Sequence, residues 1–454
     1  MTIKGEKPGA AMTIDGEKLG AAMTVNDERR LRLATTRANR RIRIDAAAGV
    51  VAALLLGGPA HGQPAGNEPA PAPRGKIDAG ARGFAIASAD GAWQLRLRGL
   101  VQLDGRFFSG DASAGTDEWL VRRVRPTFEG SFGERVGFRL MPDFGDGTSQ
   151  IVDAYVDTKL APHVHLRAGK FKPPVGLERL QSARDLPLVE RSFTTELVPN
   201  RDIGLQLSGG ERLGWAVGVF DGVVDGRSTD GDDDGEQELA ARVFALPLGA
   251  ESPAVLGIGL AVTYGDRAGA PSLPLLAGQR SPGQQTIFRY RTGADGTFAD
   301  GDRIRVAPQL YWYRGPFGFM SEWVRVREDV SRSSGGVGRS ATLENEAWQI
   351  TGQWFVTGER AGYRDPQSRG GVELVARLTE LSPDAGAFAL GAASFADPAS
   401  AVTRARSAAL GVNWFPLPGI KASAAWHHTS FKGGAPAGDR PDEDVLLLRW
   451  QLDF

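Results

Sequence analysis

The chain has 454 residues, a formal net charge of -1, 60 glycines and no cysteine. Nearly balanced charge gives no indication of a nucleic-acid partner, and the missing thiols exclude disulfide frameworks, Cys-based metal sites and thiol catalysis. No stretch reaches the roughly 18 consecutive apolar residues that a membrane-spanning helix needs, so a passage through a membrane would have to use strands.

The first part of the chain is predicted to serve export. Arg37, Arg40, Arg41 and Arg43 precede an apolar run at 46–56, and small residues for cleavage follow around Ala60. Residues 1–62 are therefore predicted to be a leader with a cleavable signal peptide. The near repeat of 1–11 in 12–22 suggests an overlong start. Residues 63–75 are rich in Pro and Ala and predict an exposed linker.

From Trp93 onward the hydrophobic pattern has a period of two. Leu95 and Leu97 alternate with Arg96 and Arg98, as in a strand with one apolar and one polar face. The pattern returns along the rest of the chain and predicts sixteen strands. They are expected at 93–107, 123–132, 136–144, 150–159, 163–171, 200–208, 212–221, 236–247, 254–265, 303–314, 317–328, 343–357, 370–381, 402–414, 419–431 and 443–454.

The connections between these strands alternate in length. Most of those after odd-numbered strands are long, with 172–199, 267–302 and 329–342 among them, whereas most of the others are tight. A transmembrane barrel has two ends that face different compartments, which explains the alternation, and a soluble sandwich does not. The sequence therefore predicts an all-β, antiparallel transmembrane barrel of about sixteen strands over 76–454. Long extracellular loops, short periplasmic turns and a Gram-negative outer membrane are expected with it.

Arginines fall on the polar phase of many predicted strands and would line the lumen, Arg325 in the predicted strand at 317–328 among them. Rings of arginine or lysine are how anion-selective pores choose their ions, and a guanidinium matches the oxygens of phosphate. The plainer interpretation is that these arginines pair with carboxylates on the same faces. Candidate partners are Asp104, Glu129, Asp143, Asp153 and Asp157.

The connection at 172–199 is unusually long and carries both apolar and basic side chains. A loop of this kind is too apolar to extend into solvent, so it is expected to fold into the pore and narrow it. The predicted pore-lining residues for an anion combine strand and loop positions: Arg96, Arg98, Arg123, Arg125, Arg139, Arg167, Lys170, Lys172, Arg179, Arg184, Arg201 and Arg305.

Several blocks resemble one known family. DGAWQLRLRGLVQLDGRFF (90–108), GKFKPPVGLERLQSARDLPLVER (169–191) and NRDIGLQLSG (200–209) are similar to the phosphate-selective porin O and P family, as is LGVNWFPLPGIKASAAW (410–426). The resemblance implies a sixteen-stranded barrel that assembles as a homotrimer in outer-membrane lipid and lipopolysaccharide. It also implies passive uptake of phosphate or polyphosphate past arginines, with no enzyme activity.

Other functions remain open. A non-selective general diffusion porin would result if carboxylates neutralise the lumenal arginines, and an outer-membrane hydrolase or adhesin barrel is a further alternative. Asp230, Asp232 and Asp234 begin like a calcium loop, but the twelfth position is Ala241, so a solvated acidic loop is expected. With five histidines in the chain, neither a metal site nor a cofactor is predicted.

Overall fold

The computed structural model describes residues 75–80, 83–110, 115–249, 252–366 and 368–454. The predicted leader at 1–62 and all but the last residue of the predicted linker at 63–75 lie outside the described residues, so both stay predictions. No helix among the described residues is long and apolar enough to cross a membrane.

Strands make up nearly all of the described fold. They are β1 (Lys76–Gly80), β2 (Gly83–Ala87), β3 (Trp93–Ser109), β4 (Glu118–Phe132), β5 (Val136–Asp143), β6 (Gln150–Ala161), β7 (Val164–Phe171), β8 (Asp202–Gly209), β9 (Leu213–Phe220), β10 (Glu238–Ala245), β11 (Ala254–Ala268), β12 (Gln279–Arg280), β13 (Thr286–Phe288), β14 (Thr297–Arg314), β15 (Phe317–Ser334), β16 (Val337–Phe355), β17 (Gly371–Ser382), β18 (Val402–Leu417), β19 (Ile420–Ala435), β20 (Gly438–Asp439) and β21 (Glu443–Asp453). Helical structure is limited to α1 (Leu177–Leu180) and four 3-10 turns, Ala183–Asp185, Phe193–Leu197, Ala385–Phe388 and Gly391–Ala393.

Sixteen of these strands form one closed antiparallel barrel, which confirms the predicted fold class. They are β3 to β11, β14 to β19 and β21, and each overlaps one predicted strand. The ring closes because β21 pairs with β3, from Asp444 opposite Ser109 to Asp453 opposite Leu100. The sequence pattern did not predict the hairpin of β1 and β2, which pairs with the start of β3.

The C-terminal residue is built into this closure. Gly99 N–H donates to the Phe454 carbonyl at 3.0 Å, and Phe454 N–H donates back to the Gly99 carbonyl at 3.1 Å. A Cβ at position 99 would lie 2.5 Å from the Phe454 ring, so glycine leaves the space that the ring occupies. The ring also meets Phe84 edge to face, which ties β2 to the end of the chain.

The outer face of the barrel is apolar, as alternation predicts for strands in contact with lipid. Exposed aliphatic side chains such as Val243, Leu260 and Leu410 cover its middle. Aromatic residues lie near strand ends on this face, as expected for interfacial girdles, with Trp93, Trp119, Phe132, Phe317, Trp354, Trp414 and Trp450 among the exposed ones.

The two ends of the barrel differ, and we name them by their connections. The turn end carries mostly tight links, such as Gly315-Pro316 between β14 and β15. The loop end carries most of the long links, including 172–201, 221–237, 269–296 and 383–401.

Two connections depart from this pattern. At the loop end, β15 and β16 extend to a two-residue turn, Gly335-Gly336, where a long loop over 329–342 was expected. Both glycines have positive φ, as a tight hairpin of this kind requires. At the turn end, 356–370 is long.

The connection between β7 and β8, which we call the inner segment (172–201), lies inside the barrel. Its apolar residues pack on inner-wall residues of strands on the far side of the ring. Val175, Phe193, Leu197 and Val198 join Val324 and Val326 of β15, Ala347 of β16 and Leu381 of β17. Leu188 and Val189 join Val375 of β17, Ala409 of β18, and Val445 and Leu447 of β21. Because β7 and β8 lie opposite these strands in the ring, the segment crosses the lumen.

Candidate functional site

A cavity of about 190 Å³ lies where the inner segment faces the wall formed by β4. Its lining contains nine basic and five acidic side chains. The basic ones are Arg122, Arg123, Arg125, Lys172, Arg179, Arg191, Arg201, Arg227 and Arg280, and the acidic ones are Asp143, Asp146, Glu190, Glu196 and Asp225. The narrowed part of the lumen therefore carries an excess of positive charge.

A β-bulge in β4 adds one arginine that the alternation did not predict. Gln102 of β3 lies opposite Arg123, but the next residue, Leu103, lies opposite Val121, so Arg122 is the extra residue. A bulge of this kind re-aims side chains, and both Arg122 and Arg123 line the cavity. Strict alternation places Arg122 on the lipid face. An arginine at a predicted lipid-facing position was the available signal for the irregularity.

Six of the nine lining cations have no carboxylate within 4 Å among the described residues, Arg227 and Arg280 included. We call the four of these that lie on β4 and the inner segment the cationic cluster: Arg123, Lys172, Arg179 and Arg191. They donate to neutral oxygens only. The acceptors are Gln102 Oε1 for Arg123 (2.6 Å), the carbonyls of Leu180 (3.3 Å) and Gln181 (2.8 Å) for Lys172, the Thr195 carbonyl and Asn200 Oδ1 for Arg179, and the carbonyls of Glu178 (3.3 Å) and Gln181 (2.7 Å) for Arg191. The Nε atoms of Arg123 and Arg179 are buried and have no acceptor.

The closeness of these basic side chains to one another, together with their burial, disfavours their charged forms. Burial, with repulsion from Arg201 and Arg191, lowers the pKa of Lys172 well below its usual range. Burial, with repulsion from Arg179, lowers the pKa of Arg191 to about 9, and burial lowers that of Arg179 to about 10. An anion in the cavity would relieve this cost, because it supplies the missing counter-charge.

One carboxylate sits among these cations. Burial alone would raise the pKa of the Glu190 carboxyl, but Arg122, Arg449 and Arg123 together lower it to about 2. Glu190 accepts from Arg122 at 3.2 Å and lies 3.9 Å from Arg106. It is therefore ionised at every working pH and cancels part of the positive field.

Most of the other predicted pore-lining residues have carboxylate partners. The pairs are Arg98 with Glu129 (3.6 Å), Arg125 with Asp143 (2.8 Å), Arg139 with Glu129 and with Asp153 (3.6 Å), Arg167 with Asp157 (2.9 Å), Lys170 with Asp230 (2.5 Å), Arg184 with Asp453 (2.9 Å) and Arg201 with Asp153 (3.3 Å). Arg96 lies opposite Glu129 in the register of β3 and β4. Of the twelve predicted residues, Arg123, Arg125, Lys172, Arg179 and Arg201 line the cavity.

Arg305 lies in a different environment from the one expected of a pore-lining residue. Its side chain is 0 % exposed and bonds to Asp225 and Glu238, with Nε 2.8 Å from Asp225 and an Nη 2.5 Å from Glu238. Neighbouring Arg303 also pairs with Glu238, at 2.8 Å. These groups hold the connection 221–237 against the wall; Asp225 lines the cavity, but Arg303, Arg305 and Glu238 do not.

Arg325 was also expected on the lumenal face, but it points outward and pairs with Glu344 and Glu346 on β16. The inward phase of β15 is the one that contains Glu322 and Val324, and both of these are buried. Trp323, over which the Arg325 guanidinium lies, belongs to the outward phase.

Polar wall residues fix the inner segment in place. Glu322 of β15 accepts from the backbone N–H groups of Leu177 and Glu178 at the start of α1. Arg377 of β17 pairs with Glu178 at 2.6 Å, and Lys421 of β19 donates to two carbonyls of the segment at 3.0 Å each. Sequence reasoning did not single out Glu322 or Lys421 because their partners are backbone atoms of a distant loop.

The acidic loop at Asp230, Asp232 and Asp234 does not converge on one point. Asp230 pairs with Lys170, Asp232 accepts from backbone N–H groups of its own turn, and Asp234 accepts from Ala268 N–H. Within the part of the chain that the structure describes, no group of three or more His, Asp or Glu side chains is placed to hold a metal ion.

A closed sixteen-stranded barrel with an apolar outer face and a charged lumen narrowed by an inward segment defines the class of outer-membrane porins. The family model of the phosphate-selective porin O and P matches residues 94–454. The chain belongs to this family, which places it in a Gram-negative outer membrane and confirms the resemblance seen in the sequence.

Solved structures share the fold at low identity. An anion-selective porin from Comamonas acidovorans is 12 % identical with a TM-score of 0.50, and the match covers 80 % of this chain and 100 % of that one. The high-pH structure of OprB from Pseudomonas putida is 9 % identical with a TM-score of 0.50, covering 80 % and 95 %. In-vitro folded OmpT of Vibrio cholerae is 9 % identical, also with a TM-score of 0.50, covering 80 % and 98 %. Comparison with curated proteins gave no match.

Proposed function

We propose that this porin passes small anions and that phosphate, or a short polyphosphate, is its preferred substrate. The observation that carries the proposal is the cationic cluster: four buried or half-buried cations beside the cavity whose hydrogen-bond acceptors, among the described residues, are all neutral oxygens. Buried like charges without counter-ions are costly, and a mobile anion is the partner that removes the cost. The channel needs no enzyme activity or cofactor for this role.

Phosphate suits the cluster better than chloride does. Guanidinium groups present several donors in a plane, and a tetrahedral oxyanion can accept from more than one of them at once. Three arginines and one lysine converge on one narrow cavity, so one oxyanion could be held by several of them. The family name, phosphate-selective porin O and P, and the anion-selective porin from Comamonas acidovorans that shares the fold support an anion as the substrate.

Planar bilayers test the proposal directly. In a potassium chloride gradient at low salt, the reversal potential should have the sign of anion selectivity, and millimolar phosphate should reduce the chloride current. If the channel prefers anions but phosphate does not reduce the chloride current, only the preference for phosphate is contradicted. A reversal potential of cation-selective sign would contradict the whole proposal.

A general diffusion porin is the second candidate, and one observation favours it. Toward the turn end the lumenal cations are paired, with Arg139 held by Glu129 and Asp153, and Arg167 by Asp157. Paired charges give a weak net field, so selectivity there would be small. The reversal potential decides between the two, because a general pore gives a value near zero.

We propose that the loop end faces the exterior, that the apolar face contacts lipid and lipopolysaccharide, and that three copies assemble. Outward ion pairs lie toward the loop end of the wall, where Arg404 and Arg406 share Glu380. Such charges suit the headgroup region above the apolar belt. A trimer would close in three equal conductance steps, and single-step closure of each inserted unit would indicate a monomer.

A further inference from the structure

Beyond the cationic cluster, the lumen contains a group of aromatic rings at the turn end, which we call the aromatic platform: Phe244, Tyr311 and Tyr363, with Arg242. Phe244 and Tyr311 lie on the inner face of β10 and β14, and Tyr363 comes from the turn-end connection 356–370. The ring centroids of Phe244 and Tyr311 are 5.2 Å apart, and those of Tyr311 and Tyr363 are 5.6 Å apart and nearly parallel. The three rings are therefore in contact, with interplanar angles of 37° and 26°.

Glycines in the wall allow these rings to lie flat. Gly257 and Gly259 of β11 lie between the strands that carry the rings. A Cβ at Gly257 would come 2.5 Å from Tyr311 and 2.7 Å from Phe244, so any larger residue would push the rings into the lumen. The sequence thus keeps these rings against the wall.

A cation with no carboxylate partner completes the platform. The Arg242 guanidinium lies 4.3 Å from the Phe244 centroid, and its Nε donates to Gln309 Oε1 at 3.0 Å. No carboxylate lies within 4 Å of Arg242 among the described residues. Gln309 is 3 % exposed, and its Nε2 donor has no acceptor. An anionic group beside Arg242 would supply acceptors for both residues.

The platform is also held in place from the inner segment. The Tyr363 hydroxyl donates to the Leu177 carbonyl at 2.5 Å, and the Tyr363 carbonyl accepts from Gln181 Nε2 at 2.9 Å. Tyr363 therefore cannot swing away without breaking contacts to α1. Phe244, Tyr311 and Tyr363 are only partly buried, which leaves ring surface open to the lumen.

We propose that the aromatic platform is a second binding site in this pore, specific for aromatic carboxylates that reach it from the turn end. The ring of the ligand lies beside the Arg242 guanidinium and packs against the exposed surface of Phe244 and Tyr311, and its carboxylate accepts from Arg242 and Gln309. The site is separate from the cationic cluster and does not depend on the proposed preference for phosphate.

Blockade of the chloride current in bilayers tests the site, with benzoate as the probe and cyclohexanecarboxylate as the matched control. Both are monoanions at neutral pH and are similar in size, but only benzoate has a π face. Benzoate added on the turn-end side should reduce the current at about tenfold lower concentration than the saturated acid, since stacking and cation–π contacts are worth about that factor. Equal blockade by both acids, or none by either, would overturn the proposal.

Variants locate the effect. Phe244→Leu and Arg242→Gln should each remove the preference for benzoate, whereas Tyr155→Leu should keep it. Tyr155 is a suitable control because it also lies under an arginine, Arg167 at 4.3 Å, but on a different wall, where Asp157 already pairs that cation. Heat-modifiable gel mobility shows that each variant is folded. Retained preference in both platform variants would overturn the assignment.

Discussion

Two groups of basic side chains inside this barrel differ in what surrounds them. Arg303 and Arg305 on β14 are almost fully buried, and each bonds to Glu238, with Asp225 as a second partner of Arg305. The cationic cluster beside the cavity has no such carboxylates and donates to neutral oxygens. Both groups are rich in arginine, but the arginines of β14 are paired with carboxylates and the cationic cluster is not.

The difference shows that the number of lumenal arginines does not measure selectivity. A paired arginine contributes little to the field felt by a passing ion, because its partner cancels it. An unpaired one contributes fully, especially where low-dielectric walls focus the field. We therefore expect the β14 group to control stability and the cationic cluster to control permeation.

The largest expected effect separates the two groups by stability. Arg305→Met should destabilise the barrel by about 3–5 kcal/mol, because it leaves the buried Asp225 carboxylate without its cation. Arg191→Met should be neutral or slightly stabilising, because it removes a buried charge that has no carboxylate partner. Urea unfolding in detergent, followed by heat-modifiable gel mobility, measures both. If the two variants lose equal stability, the division into structural and functional arginines is wrong.

The next effect concerns permeation. Replacing Lys172, Arg179 and Arg191 together with glutamine should lower the anion-over-cation permeability ratio by about tenfold at low salt. High salt should reduce the difference, since it already screens the field. Reversal potentials give the ratio.

A triple variant on the outer wall is the matched control. This variant replaces Arg325, Arg404 and Arg406 with glutamine, which removes the same charge from the outward face. The anion-over-cation permeability ratio should not change. Equal losses in the two triple variants would show that total charge, and not the cluster, governs selectivity.

The strands were predictable from the sequence because alternation is a local property. Each of the sixteen barrel strands carries its own apolar and polar faces, and the family resemblance covers the same range. The pairing of arginines was not predictable in the same way. Arg305 and Asp225 are 80 positions apart, and the contact depends on how the connection 221–237 folds over the wall.

Two local features also escaped the alternation argument. The bulge at Arg122 inserts one extra residue into β4 and shifts its register against β3. A strict period of two cannot predict such an insertion. The polar stretch at 329–342 looked like a loop, but β15 and β16 extend beyond the apolar belt, where both of their faces can be polar. Beyond the membrane, a strand therefore need not show the apolar–polar alternation from which strands are predicted.

A smaller effect is expected from pH. Burial and repulsion lower the pKa values of Arg191 to about 9 and of Arg179 to about 10, and that of Lys172 as well. A base with a lowered pKa keeps its charge below that value and loses it as the pH rises through it. The anion-over-cation ratio in chloride should therefore fall several-fold between pH 7 and about 10.

Phosphate should shift this fall to higher pH, because a bound anion favours the charged forms of the cluster. Arg191→Met should reduce the size of the fall, because one group that titrates in this range is gone. A ratio that stays constant up to pH 10 in the wild-type channel would contradict the crowding of these cations.

The smallest expected effect comes from the one carboxylate among the cavity cations. Glu190 is buried, its pKa is lowered to about 2, and it accepts from Arg122 at 3.2 Å, so it subtracts a full charge from the field at any working pH. Glu190→Gln keeps the size and one acceptor oxygen but removes that charge, and the anion-over-cation ratio should rise about twofold at low salt. Asp146→Asn is the matched control, because Asp146 also pairs with Arg122, at 3.3 Å, but is 55 % exposed and screened by water. It should change the ratio less. If Glu190→Gln folds and leaves the reversal potential unchanged, the charges that line the cavity do not set the field felt by a passing ion. The functional distinction between the cationic cluster and the paired arginines of β14 would then be wrong.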